Sequence, residues 1–117
     1  MSGAIVHGPR HVPAVALTFD DGPGAVTGAL LDVLRRRGAR ATFDVLGDRI
    51  AGRERLLHRI AGEGHELGVH GWSHADHRDD PEARAAGAAR TAEAIAAVCG
   101  APPRMFRPPF GLTNERL

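Results

Sequence analysis

Apolar residues in this chain come in short runs that alternate with longer stretches of helical spacing. Residues 13–19 (Pro-Ala-Val-Ala-Leu-Thr-Phe) form an apolar run between a proline and an acidic turn, and read as a buried strand. Residues 25–37 set Leu30, Leu31 and Leu34 on one face and stop at Gly38, the pattern of a helix closed by glycine. A second run, residues 39–47, reads as a strand. Residues 53–63, with Leu56, Leu57 and Ile60 at helical spacing before Gly64, read as a second helix, and residues 65–69 as a third, short strand. Asp80-Pro81-Glu82 then supplies an N-cap, a proline at the first helical position and an acid in the first turn. The Ala-rich helix it opens runs to about Cys99, with Ile95 and Val98 on its apolar side. Residues 104–111 (RMFRPPFG) read as a fourth strand entering a Pro-rich loop. The order β-α-β-α-β-α-β predicts an α/β fold with a parallel sheet.

Ligands of such sheets bind at the carboxyl ends of the strands. Strand one there runs into Asp20 and Asp21, strand three into His70, and strand four into residues 107–111. His70 and His74, spaced i and i+4, can share one face of a helical turn and pinch one metal ion. With a carboxylate from a neighbouring strand end they would make two imidazoles and one oxygen ligand. Such a set leaves coordination positions open, as in catalytic zinc sites. A metal held so lowers the pKa of a bound water and polarises a carbonyl.

The acidic doublet fits the same chemistry. Successive strand residues point to opposite sides, so one Asp can bind metal while the other faces the water as general base. A plain Asp-Gly turn is the bland alternative. Arg107, on a loop stiffened by Pro108 and Pro109, can pair with Asp20 rather than lie solvated on the surface. The backbone N–H of Phe110 follows two residues without an N–H and is a candidate oxyanion donor.

TFDDGP, HGWSH and RPPFG, in that order, resemble the first three motifs of the polysaccharide deacetylases, carbohydrate esterase family 4, also called the NodB homology domain. ATFDVLG and GEGHELGVH resemble its connecting segments, so the likeness spans residues 14–111. The resemblance implies the first half of an irregular (β/α) barrel. It also implies metal-dependent hydrolysis of N- or O-acetyl groups on carbohydrate polymers such as peptidoglycan or chitin oligomers. Asp20 would be the catalytic base and Asp21, His70 and His74 the metal ligands. Arg107 would orient the base, and Phe110 would lend its N–H to the oxyanion. The metal implied is divalent, Zn2+ first and Co2+ second.

Three positions depart from the family pattern. Gly71 replaces a Ser or Thr that braces the loop, which predicts a looser loop. Phe110 stands where Tyr is common. Asp44 stands where an apolar residue is usual, and is either an acid near the site or a solvated one. The family's later motifs, an Asp/Trp segment and a Leu-x-Leu-His segment whose His protonates the leaving amine, do not occur before Leu117. His7, His11, His58, His65 and His77 read as structural or solvated. The expected organisation is an N-terminal extension over residues 1–12 and a partial deacetylase domain over 13–117, truncated at its C-terminus. Weak or no turnover is expected of this stretch alone. Half a barrel also predicts an apolar inner face and self-association through exposed sheet edges.

Composition narrows the rivals. The 117 residues are 43% hydrophobic and 25% charged, enough for one domain with a modest core. The net charge of +1 gives no basic stripe for nucleic acid. No apolar run approaches a membrane span or the core of an export signal, which by itself reads as a cytoplasmic chain, whereas the resemblance implies a family often secreted or associated with the cell envelope. The single Cys99 excludes an internal disulfide and reads as a small buried hydrophobe. A receiver-type signalling domain shares the length and an acidic pair but needs a late lysine, and all 15 basic residues here are Arg. A non-catalytic metal- or carbohydrate-binding module of the same fold, and a relative acting on cyclic amides, are the remaining alternatives.

Overall fold

The alternation of side chains along three short parallel strands sets up the molecule. A computed structural model describes residues 4–77 and 79–111. β1 (Thr18–Gly22), β2 (Thr42–Val45) and β3 (Glu66–Val69) lie side by side in that order, all parallel. Their register aligns three rows: Thr18 with Thr42 and Glu66, Phe19 with Phe43 and Leu67, and Asp20 with Asp44 and Gly68.

On β2 and β3 the odd-numbered residues face the helices. Phe43, Val45, Leu67 and Val69 pack there against Leu31 and Leu34 of α1 (Thr27–Arg37), Leu57 and Ile60 of α2 (Glu54–Gly62), and Ile95 of α3 (Pro81–Cys99). The caps are those read from the sequence. Gly38 closes α1 in the left-handed region at φ 62°, and the Asp80 carboxylate accepts the Ala83 N–H at 3.0 Å to open α3. Cys99 ends α3 half-buried, and burial raises its thiol pKa. His65 is buried and structural: its Nδ1 accepts the Ala41 N–H at 3.0 Å.

Four expectations change. β1 begins at Thr18 rather than residue 13, because β2 offers no partner upstream beyond the Thr42 N–H, which donates to Leu17 O at 2.9 Å. Helix α1 starts two residues later than expected, at Thr27, whose hydroxyl oxygen accepts the Gly24 N–H at 2.8 Å. The fourth strand is a single parallel bridge between Val69 and Phe106. Val69 N–H donates to Met105 O and Arg107 N–H to Val69 O, but Pro108 and Pro109 have no N–H to continue the ladder. The inner face is polar rather than apolar: Thr18, Asp20, Thr42, Asp44, Glu66 and Gly68 occupy it on the three strands, and Arg104 pairs with Glu66 at 3.0 Å. Residues 112–117 of the expected domain lie outside the described residues. No helix among the described residues is long and apolar enough to cross a membrane.

Candidate active site

The two aspartates reach the same side of the sheet through a bulge. The β1–β2 register shifts between Asp20 and Gly22, so that Gly22 aligns with Val45, and Asp21 stands in the left-handed region at φ 74°. Plain alternation would send Asp21 toward the helices; the bulge turns it back instead. Its Oδ1 lies 3.3 Å from His70 Nε2 and 3.6 Å from His74 Nε2. Asp20 Oδ2 lies 3.9 Å from the same His70 nitrogen. The division between the two acids therefore depends on a local irregularity, not on the period of the strand.

His70 follows β3 directly and is 3% exposed. Its Nδ1 lies 2.6 Å from the Arg107 carbonyl, which can only accept. In the neutral ring the proton therefore sits on Nδ1, and the Nε2 lone pair faces Asp21. His74 arrives by a bend, not by the helical turn its spacing suggests: residues 70–74 contain no helix, and Gly71 has φ 94°. One ligand atom from each of Asp21, His70 and His74 lies within 4.8 Å of the others. Donors held at ~2.1 Å around a tetrahedral zinc stand about 3.4 Å apart, and the two Asp21 distances bracket that value. Two imidazole nitrogens facing a carboxylate oxygen are a donor set that a divalent cation fits.

Gly71 does not leave the loop loose. The Gly71 carbonyl accepts from Gly47 N–H at 3.1 Å and from the Thr91 hydroxyl at 3.1 Å, and Asp48 N–H donates to Trp72 O at 2.9 Å. A residue with a Cβ would be strained at this φ, so glycine serves the geometry that a hydroxyl residue was expected to brace. Trp72 packs against Gly47 so closely that a Cβ there would collide with the indole, and the Arg90 guanidinium lies 3.6 Å over the ring. Thr91, fully buried in α3, is a site-supporting residue missed from sequence, although a lone threonine inside an Ala-rich helix was a visible signal.

Arg107 links the two halves of the cluster. Its Nη1 donates to Asp20 Oδ1 and to Thr18 Oγ1, each at 3.0 Å, while its carbonyl fixes His70. Phe110 sits in the one-turn segment Pro109–Gly111 with φ 61°, and its ring meets the His74 imidazole edge-on at 4.4 Å between centroids. Asp44 is not solvated. It is 3% exposed, its Oδ2 lies 3.6 Å from Arg107 Nη1, and burial above all pushes its pKa up to about 6. Asp20 adds to that rise and Arg107 opposes it.

Known proteins resemble this chain in sequence and in fold. A family model described as polysaccharide deacetylase matches residues 7–117. The chain is 36% identical over 105 residues to the peptidoglycan-N-acetylglucosamine deacetylase PgdA of Listeria monocytogenes, covering 88% of this chain and 22% of that protein. It is 39% identical over 103 residues to a chitin deacetylase from Pestalotiopsis sp, covering 85% of this chain and 35% of the relative. The structure of the peptidoglycan deacetylase PdaC from Bacillus subtilis superimposes with a TM-score of 0.84 at 38% identity, over 87% of this chain and 52% of that one. This chain thus spans about half of the solved relative and less of the two sequences. By the extent of the family match and the likeness in fold, it belongs to the polysaccharide deacetylase family.

Proposed function

We propose that residues 13–117 carry the base, the metal ligands and the oxyanion donor of a metal-dependent carbohydrate deacetylase acting on N-acetyl (or O-acetyl) groups of polymers such as peptidoglycan or chitin oligomers. The observation that supports this most is the meeting of Asp21, His70 and His74 donor atoms within 4.8 Å, beside an Asp20 carboxylate 3.0 Å from Arg107. The donor set suits Zn2+, with Co2+ as a substitute, and leaves positions open. Bound there, the ion supplies a water of lowered pKa and a Lewis acid for the acetyl carbonyl. Asp20 accepts the proton of the attacking water, and Arg107 holds that carboxylate in orientation. As the acetyl carbon becomes tetrahedral, the Phe110 N–H donates to its oxygen. The bond from the carbonyl carbon to the sugar nitrogen (or oxygen) then breaks, that atom takes up the proton lost by the water, and acetate leaves. The names of the relatives favour peptidoglycan or chitin as the polymer.

Zinc binding and acetate release from acetylated chitin oligomers and peptidoglycan fragments test this reading separately. Asp21→Ala, His70→Ala and His74→Ala are expected to lose zinc, whereas Asp20→Asn is expected to keep zinc and lose acetate release. Full zinc affinity in Asp21→Ala would sink the ligand assignment. Acetate release by the parent chain above the metal-free background, even if weak, would exclude the non-catalytic binding module.

A further inference from the structure

Asp44 is the one buried carboxylate among the described residues, and nothing in the proposed chemistry assigns it a task. Leaving a charge under cover costs free energy unless a partner offsets it. The surroundings make room for it: a Cβ at Gly68, its register neighbour on β3, would collide with Asp44 Oδ1. Asp20 lies on its other flank in the same row. Its carboxyl shares a hydrogen bond with Asp20, and its opposite charge is Arg107, whose Nη1 is 3.6 Å from Asp44 Oδ2.

Two acceptors on β1 and one carboxylate on β2 thus surround one nitrogen. Thr18 and Asp20 on β1 each accept at 3.0 Å, but Asp20 is itself about one-third exposed and the Arg107 side chain 43% exposed. Ion pairs open to water are weak and easily exchanged. Asp44 is the carboxylate that water does not reach, so its pull on the guanidinium is the least screened. We propose that Asp44 is a positioning residue, the buried anchor that keeps the Arg107 guanidinium seated on Asp20. Its catalytic meaning rests on the reading of Asp20 as the base; the anchoring does not.

The test is nitrogen-15 NMR of the Arg107 guanidinium in the zinc-free chain at pH 8. In the parent chain its Nη protons are expected to rotate and exchange slowly. Asp44→Leu, close in shape but without the charge, is expected to speed this at least about tenfold, the scale of one lost ion pair held away from water. Asp44→Asn, which keeps the shape and loses the charge, is expected to release Arg107 as Asp44→Leu does, which a packing role alone would not require. Should Asp44→Leu fail to fold, Asp44→Ala removes both oxygens without adding bulk and must release Arg107 equally. Slow Arg107 motion in any of these folded variants, or fast motion in the parent, overturns the proposal. Acetate release by Asp20→Asn equal to that of the parent would instead count against the base assignment and leave the NMR result standing.

Discussion

The two faces of the sheet are one residue apart in sequence and opposite in character. Phe43 and Val45 point into a closed apolar layer under three helices, whereas Thr42 and Asp44 point to a face populated by Asp20, Glu66 and Gly68. The first face holds the fold by burial, at roughly 25 cal/mol for each Å² of apolar surface removed from water. The second concentrates charge that burial penalises, as the raised pKa of Asp44 records. A slip of one residue in register would exchange the two. Stability and chemistry are therefore built on the same strands and separated only by the pleat.

The sharpest test of that separation removes a proposed metal ligand. His70→Ala is expected to lower zinc affinity more than ~100-fold, since losing even a ligand's hydrogen-bond partner costs ~10–100-fold. Titration calorimetry reads this directly. A variant that retained the parent affinity would mean that the polar face holds no metal centre. On the other face, Leu57→Ala empties a fully buried position of α2 and should cost about 2–5 kcal/mol in denaturant unfolding. Its folded fraction should bind zinc as the parent does. A joint loss of stability and affinity would show that the two faces are not independent.

The elements were legible where local chemistry decides them. Gly38, Asp80 and Pro81 marked helix ends because a left-handed residue, a side-chain acceptor and a missing N–H act within a single turn. The proximity of the candidate residues was legible because Asp20, Asp21, His70 and Arg107 all fall at carboxyl ends of apolar runs. What was not legible depends on partners distant in sequence. The run at residues 104–111 has strand composition, yet its pairing stops at a bridge where two prolines follow. The bulge at Asp21 has no mark in the sequence beyond the adjoining glycine, and periodicity argued for the wrong means of separating the two acids. Asp44 was left between two readings because its burial depends on Gly68, on another strand.

Asp44 also gives the polar face a signature in pH. Its pKa rises from 3.8 to about 6 on folding, so the folded state holds a proton that the unfolded chain has already released. As pH rises through that window, roughly 4 to 6, the parent chain loses stability, by about 2–3 kcal/mol in total from this group. Asp44→Asn has no such proton to lose. The stability of Asp44→Asn relative to the parent should therefore climb between pH 4 and pH 7, with Asp20, Arg107 and His70 common to both chains. Urea unfolding of the two proteins at both pH values measures it, and a constant difference would mean that Asp44 titrates as a solvated acid.

The smallest expected effect lies where the two faces are joined. The Thr91 hydroxyl has one proton and two acceptors, Gly87 O at 3.0 Å within α3 and Gly71 O at 3.1 Å on the loop between the histidines. Thr91→Val keeps the shape and removes the donor. Gly71 O retains its bond from Gly47 N–H, so the loop should keep its course. The cost should be about 1 kcal/mol of stability, the net worth of one hydrogen bond. Zinc affinity should fall by about tenfold at most, because the hydroxyl steadies the ligands without touching them. Thr91→Ser should recover both. If Thr91→Val lost stability but bound zinc as the parent does, the hydroxyl would serve the helix alone, and Gly47 N–H with Asp48 N–H would be what holds the histidine loop to the core.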